Sequence, residues 1–187
     1  MKSKLHVIQY LRAVAALAVV VAHIGWVNPL WGAQGIDVFF IISGFISALV
    51  SGREARPGAF ILARLLRVAP VYWLATLAWN ELHPANEVQH LLLSLVFIPH
   101  IGPKGMIWPV IEQGWTLLYE AFFYCAFATA LMLPQRRALS VLTCVFVLLV
   151  AIGRAVRSDS AFSQVFLSPL LIEFLAGVWL HQAWQRG

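Results

Sequence analysis

Apolar runs of bilayer length, each interrupted by a few polar side chains, follow one another along this chain. Leu5 to Gly25 reads LHVIQYLRAVAALAVVVAHIG, and comparable runs cover residues 35–51, 67–82, 114–133, 138–156 and 165–184. A helix crosses the hydrocarbon core with roughly 20 apolar residues, so the pattern predicts about six transmembrane spans. A shorter apolar stretch, His90 to Ile101, contains Pro99 and is too short to cross; it is expected to be an interfacial or re-entrant helix. No repeat, low-complexity tract or soluble-domain linker separates the runs. The expected fold is therefore all-α: a polytopic transmembrane helical bundle forming one domain over residues 1–187.

The polar exceptions inside the runs carry the chemistry. Arg12 and His23 stand eleven residues apart in the first run, close to three helical turns and roughly 16 Å along the axis. An Arg at the bilayer centre costs about 2.5–3.5 kcal/mol on the insertion scale. A shared face with Ala16 and Val19 between the two polar groups therefore predicts a cavity wall rather than a lipid-facing surface.

Composition agrees with the pattern. The chain is 61% hydrophobic and 11% charged, with a mean hydropathy of +0.81. These values exclude a soluble domain. The net charge of +5 does not call for nucleic acid, because the basic residues mostly lie between apolar runs. The first run lacks a cleavage site and is broken by Arg12, so it is not read as a removed signal. Cys125 and Cys144 both fall within predicted spans and read as small buried apolar residues. No grouping has metal-ligand spacing, and no Gly-rich phosphate loop is present.

Basic residues also set an expected orientation. With the N-terminus in the cytoplasm, the inner links carry Lys2, Lys4, Arg53, Arg56, Arg64, Arg67, Arg136, Arg137 and Arg186, against Lys104, Arg154 and Arg157 outside. That asymmetry follows the positive-inside rule.

Four clusters remain. Arg64 and Arg67, three apart and just before Pro70, Tyr72 and Trp73, suit either coenzyme phosphates or lipid headgroups. Asp37 is placed either to orient the His23 imidazole, in the logic of a catalytic triad, or to sit solvated at the membrane boundary. Gly44, Ala48 and Ser51 form a small-residue stripe suited to close helix packing. Ser43 beside it has no evident base. Glu120, in an otherwise apolar run, requires a partner or a cavity, with Arg12 or His23 as candidates; Glu173 is a weaker instance of the same kind. His6, His83, His90, His100 and His181 lie near predicted boundaries and read as interfacial residues.

Taken in order, these segments resemble the membrane acyltransferase 3 family of bacteria. The resemblance rests on Leu11-Arg12-Ala13 through Ala22-His23, on Gly35-Ile36-Asp37-Val38-Phe39-Phe40 with Ser43-Gly44-Phe45, on Arg64, Arg67, Pro70 and Tyr72, and on Trp115-Thr116-Leu117 with Glu120 and Phe123-Tyr124. Ile98-Pro99-His100 and Gly114-Trp115-Thr116-Leu117 look like the branch that acylates exopolysaccharide. Members of the family carry more spans than this chain, which therefore reads as incomplete at its C-terminus.

The resemblance implies an integral membrane enzyme that moves an acyl group, often acetyl from acetyl-CoA, to a carbohydrate hydroxyl. It implies His23 as the catalytic histidine, with Arg12, Asp37 and Glu120 as further members of the catalytic set. Arg64, Arg67 and Tyr72 are implied at the acyl donor. Acyl-CoA is expected as a donor substrate, with no permanently bound cofactor and no metal. The expected partners are a polysaccharide acceptor and the lipid bilayer, in the inner membrane of a bacterial cell. Whether His23 acts as base or as covalent acyl carrier stays open. The rival reading is a non-enzymatic subunit or translocator of a polysaccharide-export system, or an inactive truncated acyltransferase.

Overall fold

The computed structural model describes residues 2–26, 28–51, 56–83, 87–156 and 158–186, without the side chains of residues 2–5, 29, 135 and 136. Of the residues used for orientation, Arg53 and Arg157 lie outside the described residues, as do the side chains of Lys2, Lys4 and Arg136. Among the described residues the chain is helical with no strand. The helices are α1 (Lys2–His23), α2 (Pro29–Ser51), α3 (Pro57–Leu82), α4 (Val88–Leu95), α5 (Trp115–Ala130), α6 (Gln135–Ala155), α7 (Ala161–Phe166) and α8 (Leu170–Arg186), with a single 3-10 turn at Glu112–Gly114. Five stretches are long and apolar enough to cross a membrane: His6–His23, Leu30–Ser51, Pro57–Leu82, Arg137–Ala155 and Ala161–Arg186. The architecture is the helical membrane bundle that the apolar runs predict.

Three runs are realised differently from their sequence boundaries. The run at 114–133 forms α5, which has 16 residues and at about 1.5 Å per residue falls short of a ~30 Å hydrocarbon core. The second and third spans start earlier than their apolar runs, at Pro29 and Pro57. Proline suits a first helical position, where its missing N–H would have had no partner. The predicted run begins at Gly35, so the first turns of α2, which contain Pro29 and Gly32, lie before it.

The chain packs as two compact units, Met1–Val50 with Ile172–Gly187, and Ser51–Leu171. In the first unit, small residues let helices touch backbone to backbone. A Cβ on Gly35 would lie 2.8 Å from the Ala15 carbonyl, and one on Gly32 would lie 2.8 Å from the Ala22 Cβ. A Cβ on Gly44 would collide with the Phe174 carbonyl, and one on Gly177 with that of Ile41. The predicted role of Gly44 in close packing is thus met by α8, with the Phe40 and Phe174 rings tilted against each other beside it at 4.7 Å between ring centres. On α1 the packed side is Ala15, flanked by the half-buried Arg12, Ala18 and Val19, whereas Ala16 points outward. The slim residue on the Arg12 face is therefore Ala15 and not Ala16.

The second unit is built on aromatic rings. Phe60 stands 5.2 Å from Phe127, and Phe122 stands 4.5 Å from Phe166, between centroids. Phe123 and Phe146 are fully buried among them. Ser94 ties α3, α4 and the following loop together. Its hydroxyl donates to the His90 carbonyl at 2.7 Å and accepts from Val110 N–H at 3.0 Å, while its own carbonyl accepts from the Tyr72 hydroxyl at 3.3 Å. Contrary to the sequence expectation, Cys125 and Cys144 are free and exposed on the protein surface.

Helix α4 ends in a left-handed turn. The N–H of Phe97 bonds to the Ser94 carbonyl and that of Ile98 to the Leu93 carbonyl, with Phe97 at φ 57. This bonding pattern normally takes glycine at the left-handed position. A side chain there costs about 1–2 kcal/mol, offset here by the Phe97 ring lying 5.2 Å from that of Tyr72. Replacing Phe97 with Ala should remove the ring and keep the penalty, whereas Phe97→Gly removes both. The Gly variant is expected to be the more stable of the two by about 1 kcal/mol, measured by thermal unfolding in detergent. Equal stabilities would show that the backbone strain is not held.

Candidate functional site

In the first unit, His23 closes α1 and is exposed. Its Nδ1 lies 2.8 Å from the Val19 carbonyl. A carbonyl only accepts, so Nδ1 carries the proton and a neutral His23 keeps a bare lone pair on Nε2. The helix that bears the imidazole thus also sets its tautomer. Arg12 sits half-buried almost three turns earlier.

Asp37 and Glu173 neighbour each other across α2 and α8, and the Glu173 Oε2 is enclosed without a hydrogen-bond partner. The α1–α2 contacts, Ala22 opposite Gly32 and Ala15 with Val19 opposite Gly35, place Asp37 nearer the level of Ala15 than that of His23. A second buried polar pair lines the same helix interface: Ser47 Oγ and His181 Nε2 are both enclosed without a hydrogen-bond partner. His181 is 4% exposed and stands edge-on to Phe45 at 5.2 Å, so it is a core residue and not the interfacial one its position in the sequence suggested.

In the second unit, Arg64 and Arg67 separate in character despite their shared helical face. Arg67 is exposed. Arg64 is 8% exposed, with its guanidinium 5.2 Å from the centre of the Phe60 ring and 5.8 Å from that of Tyr124. Aromatic faces attract a desolvated guanidinium, by up to about 2 kcal/mol each. They do not use its N–H groups, and the Arg64 Nε is buried with no partner. Arg64 opens on a cavity of about 210 Å³ whose lining includes Phe97, Leu117, Glu120, Tyr124 and Cys125. Glu120 therefore belongs to a cavity shared with Arg64, in the unit that does not contain Arg12 or His23.

Tyr72 is spent on structure. It is buried, bonded to Ser94 and packed against Phe97, and a Cβ on Gly114 would come within 2.7 Å of its ring. The residues that sequence reasoning missed are Phe60 and Phe97. Phe60 was within reach, four residues before Arg64 and so on its face. Phe97 reaches the cavity only through the turn after α4, which no local pattern announces.

Comparisons with known proteins bear on the family of the chain. The exopolysaccharide production protein ExoZ of Rhizobium meliloti (strain 1021) is 42% identical over 165 residues, covering 83% of this chain and 52% of that protein. BcsY of Komagataeibacter xylinus, named for a membrane-bound transacylase, is 30% identical over 157 residues, covering 73% of this chain and 40% of that protein. The chain thus spans about half the length, or less, of these curated relatives. No solved structure matches it. A family model described as an acyltransferase domain matches residues 5–187, and by that match the chain belongs to the acyltransferase 3 family.

Proposed function

We propose that this protein transfers an acyl group, acetyl from acetyl-CoA, to a hydroxyl of an exported or cell-surface polysaccharide, from a multi-pass position in the bacterial inner membrane with its N-terminus in the cytoplasm. Family membership and a relative named for exopolysaccharide production support the reaction class. The observation that carries the mechanism is the His23 tautomer fixed by the Val19 carbonyl.

On this reading the acceptor O–H gives its proton to His23 Nε2 as the oxygen attacks the thioester carbonyl. The tetrahedral intermediate collapses, the C–S bond breaks, and the coenzyme thiolate takes the proton back from the imidazolium. Imidazole suits both transfers because its unperturbed titration range lies near neutral pH. Arg12 stands roughly 16 Å from His23 along α1, so it is assigned to positioning the acyl donor and not to the oxyanion at the imidazole. The Asp37–Glu173 pair holds α2 to α8, so Asp37 contributes through the shape of the first unit.

The two arginines of α3 divide the donor between them. A buried guanidinium with an unused N–H needs an acceptor, and a cavity of about 210 Å³, below the ~300–1,000 Å³ of drug-sized ligand sites, suits a small group rather than a nucleotide. Arg64 is assigned to the acyl-thioester end and Arg67, on the surface, to coenzyme phosphate. The charge asymmetry of the links supports the cytoplasmic placement of both.

The test is transfer of labelled acetyl from acetyl-CoA to polysaccharide by the purified full-length protein in lipid. A labelled ester is expected from wild type, and its absence would favour a translocator. His23→Ala and His23→Gln should each lower the rate about 10²–10⁴-fold, the usual loss of a general base. Near-normal transfer by either variant would remove the histidine from the chemistry.

A separate measurement addresses the donor. Arg64→Ala should raise the KM for acetyl-CoA more than Arg67→Ala does, because only Arg64 is desolvated. Arg64→Lys should not restore it, since an ammonium lacks the planar fork that lies between two rings. Equal effects at the two positions would return both arginines to membrane anchoring.

A further inference from the structure

The segment between α4 and α5 encloses a second cavity, which the mechanism above does not use. Its shape is held by local bonds: Val110 to Ser94, Gly102 N–H to the Met106 carbonyl at 2.8 Å, and a tight turn at Gly105 with φ 74. With the C-terminal end of α3 it bounds about 620 Å³, a volume typical of small-molecule sites. The lining includes the indoles of Trp79 and Trp108 together with His90, Lys104, Glu112 and Gln113.

The protonation of this lining follows from its hydrogen bonds. His100 Nδ1 lies 2.8 Å from the Ile98 carbonyl, which only accepts, so that nitrogen carries a proton. Neutral His100 then offers the Nε2 lone pair, and His90 Nδ1–H donates to it at 2.7 Å. His90 is left with a proton-free Nε2, an acceptor on a buried residue that lines the cavity. Burial, and after it the neighbouring His100, pushes the His90 imidazole below its usual range, against a smaller opposing pull from Glu87. The neutral form is therefore the one held. Lys104 is ion-paired to Glu112 and lies 5.8 Å from the centre of the Trp108 ring, so the two charges of the lining offset each other.

An indole face, an imidazole acceptor, a primary amide and a self-neutralised ion pair match one ligand chemistry closely. A pyranose ring presents an apolar C–H face to an aromatic ring and hydroxyls that both donate and accept. An anion would find no unpaired cation here, and a purely apolar ligand would strand the polar groups. We propose that this cavity is a binding subsite for a neutral pyranose of the acceptor polysaccharide, with Trp108 as the stacking face, Trp79 beside it already stacked on His83 at 4.1 Å, and His90 and Gln113 as hydroxyl partners. Calling the sugar the acceptor rests on the acyltransferase reading; the capacity to bind sugar does not. Trp79 stands 15 residues beyond Arg64 on α3, roughly 22 Å along the helix axis. The sugar cavity and the Arg64 cavity thus lie toward opposite ends of one spanning helix.

The test uses the full-length protein in lipid nanodiscs and an array of neutral gluco- and galacto-oligosaccharides of two to four rings, read by saturation-transfer NMR and by titration. Saturable binding is expected. Trp108→Ala should weaken it about 10-fold or more, the scale of one lost aromatic contact, with Trp108→Phe recovering most of the loss. Gln113→Ala, a change at an exposed residue that leaves the loop bonds intact, should weaken it several-fold. No binding by any oligosaccharide, equal binding by wild type and all three variants, or displacement of the sugar by inorganic phosphate would each overturn the site. Acetyl transfer is measured in parallel. Sugar binding that depends on Trp108 in a protein forming no ester would end the acyltransferase reading and leave the site standing. An unchanged acceptor KM in Trp108→Ala would end the proposal and leave the acyltransferase reading intact.

Discussion

Helices in a bilayer gain nothing from hiding apolar surface, because lipid tails are as apolar as leucine. They hold together where backbones can approach, through dispersion and the few polar contacts available. The structure meets this constraint with glycine at each close approach: Gly32 and Gly35 between α1 and α2, Gly44 and Gly177 between α2 and α8, and Gly153 against the Leu167 carbonyl in the second unit. The first unit depends on it most. On the Gly44–Phe174 and Gly177–Ile41 contacts, any Cβ would have to push a carbonyl away. That close crossing also brings Asp37 within hydrogen-bonding reach of Glu173. A carboxyl pair in a membrane helix interface is costly unless its members bond each other. Here the packing of small residues brings the two carboxyls together, while the Glu173 Oε2 stays enclosed without a partner.

The second unit solves a different problem, how to keep a cation inside. Arg64 is flanked by rings, with Phe60 one turn before it and Tyr124 from α5. Rings satisfy the charge and leave N–H groups unspent, as the partnerless Nε shows. A structural ion pair would consume those donors. Aromatic support leaves them for something that arrives later, and this is why a buried arginine supports a donor-binding role better than spacing alone. The strained Phe97 belongs to the same design: its ring lines the Arg64 cavity because its backbone accepts the left-handed turn.

Much of the fold was legible because membrane helices announce themselves by length and apolarity, and these read correctly for α1, α6 and the body of α3. What failed did so for local physical reasons. Pro29 and Gly32 lie before the predicted run, yet proline fits a helix start and glycine is what the α1–α2 contact requires. Ala16 was chosen over Ala15 because an eleven-residue spacing leaves the facing arc wide, and only the partner helix selects within it. For the site, the polar exceptions in apolar runs were the right residues to notice, but their pairings were not legible. Glu120 faces the Arg64 cavity, and Asp37 faces Glu173 from a helix more than a hundred residues away in sequence. Pairings of that kind are set by topology, which a single sequence does not encode in any local pattern. His90 and His100 likewise look like two separate boundary histidines until the loop between them folds back.

The arrangement of α3 bears on the choice between base and carrier at His23. On the proposed readings the linings of the donor and sugar cavities come nearest on α3 at Ala69 and Trp79, roughly 15 Å apart along the axis, and an acetyl group spans only a small part of that distance. Either the coenzyme arm reaches along the protein toward the sugar, or the acyl group rests on the protein between donor and acceptor. Pro70 lies between the two cavities. Having no N–H, it leaves the Leu66 carbonyl without its helical partner, which is the usual origin of a bend and of a polar break in a spanning helix. A long arm needs such a break as a path; a covalent relay needs only a nucleophile. His23 has the lone pair for either, because Val19 holds its other nitrogen. A relay would leave an acyl-imidazole that forms from acetyl-CoA with no sugar present and decays when sugar is added, whereas a base would leave nothing on the protein. An imidazole held in one tautomer can serve either role, so an acyl-imidazole formed without sugar is the observation that separates them.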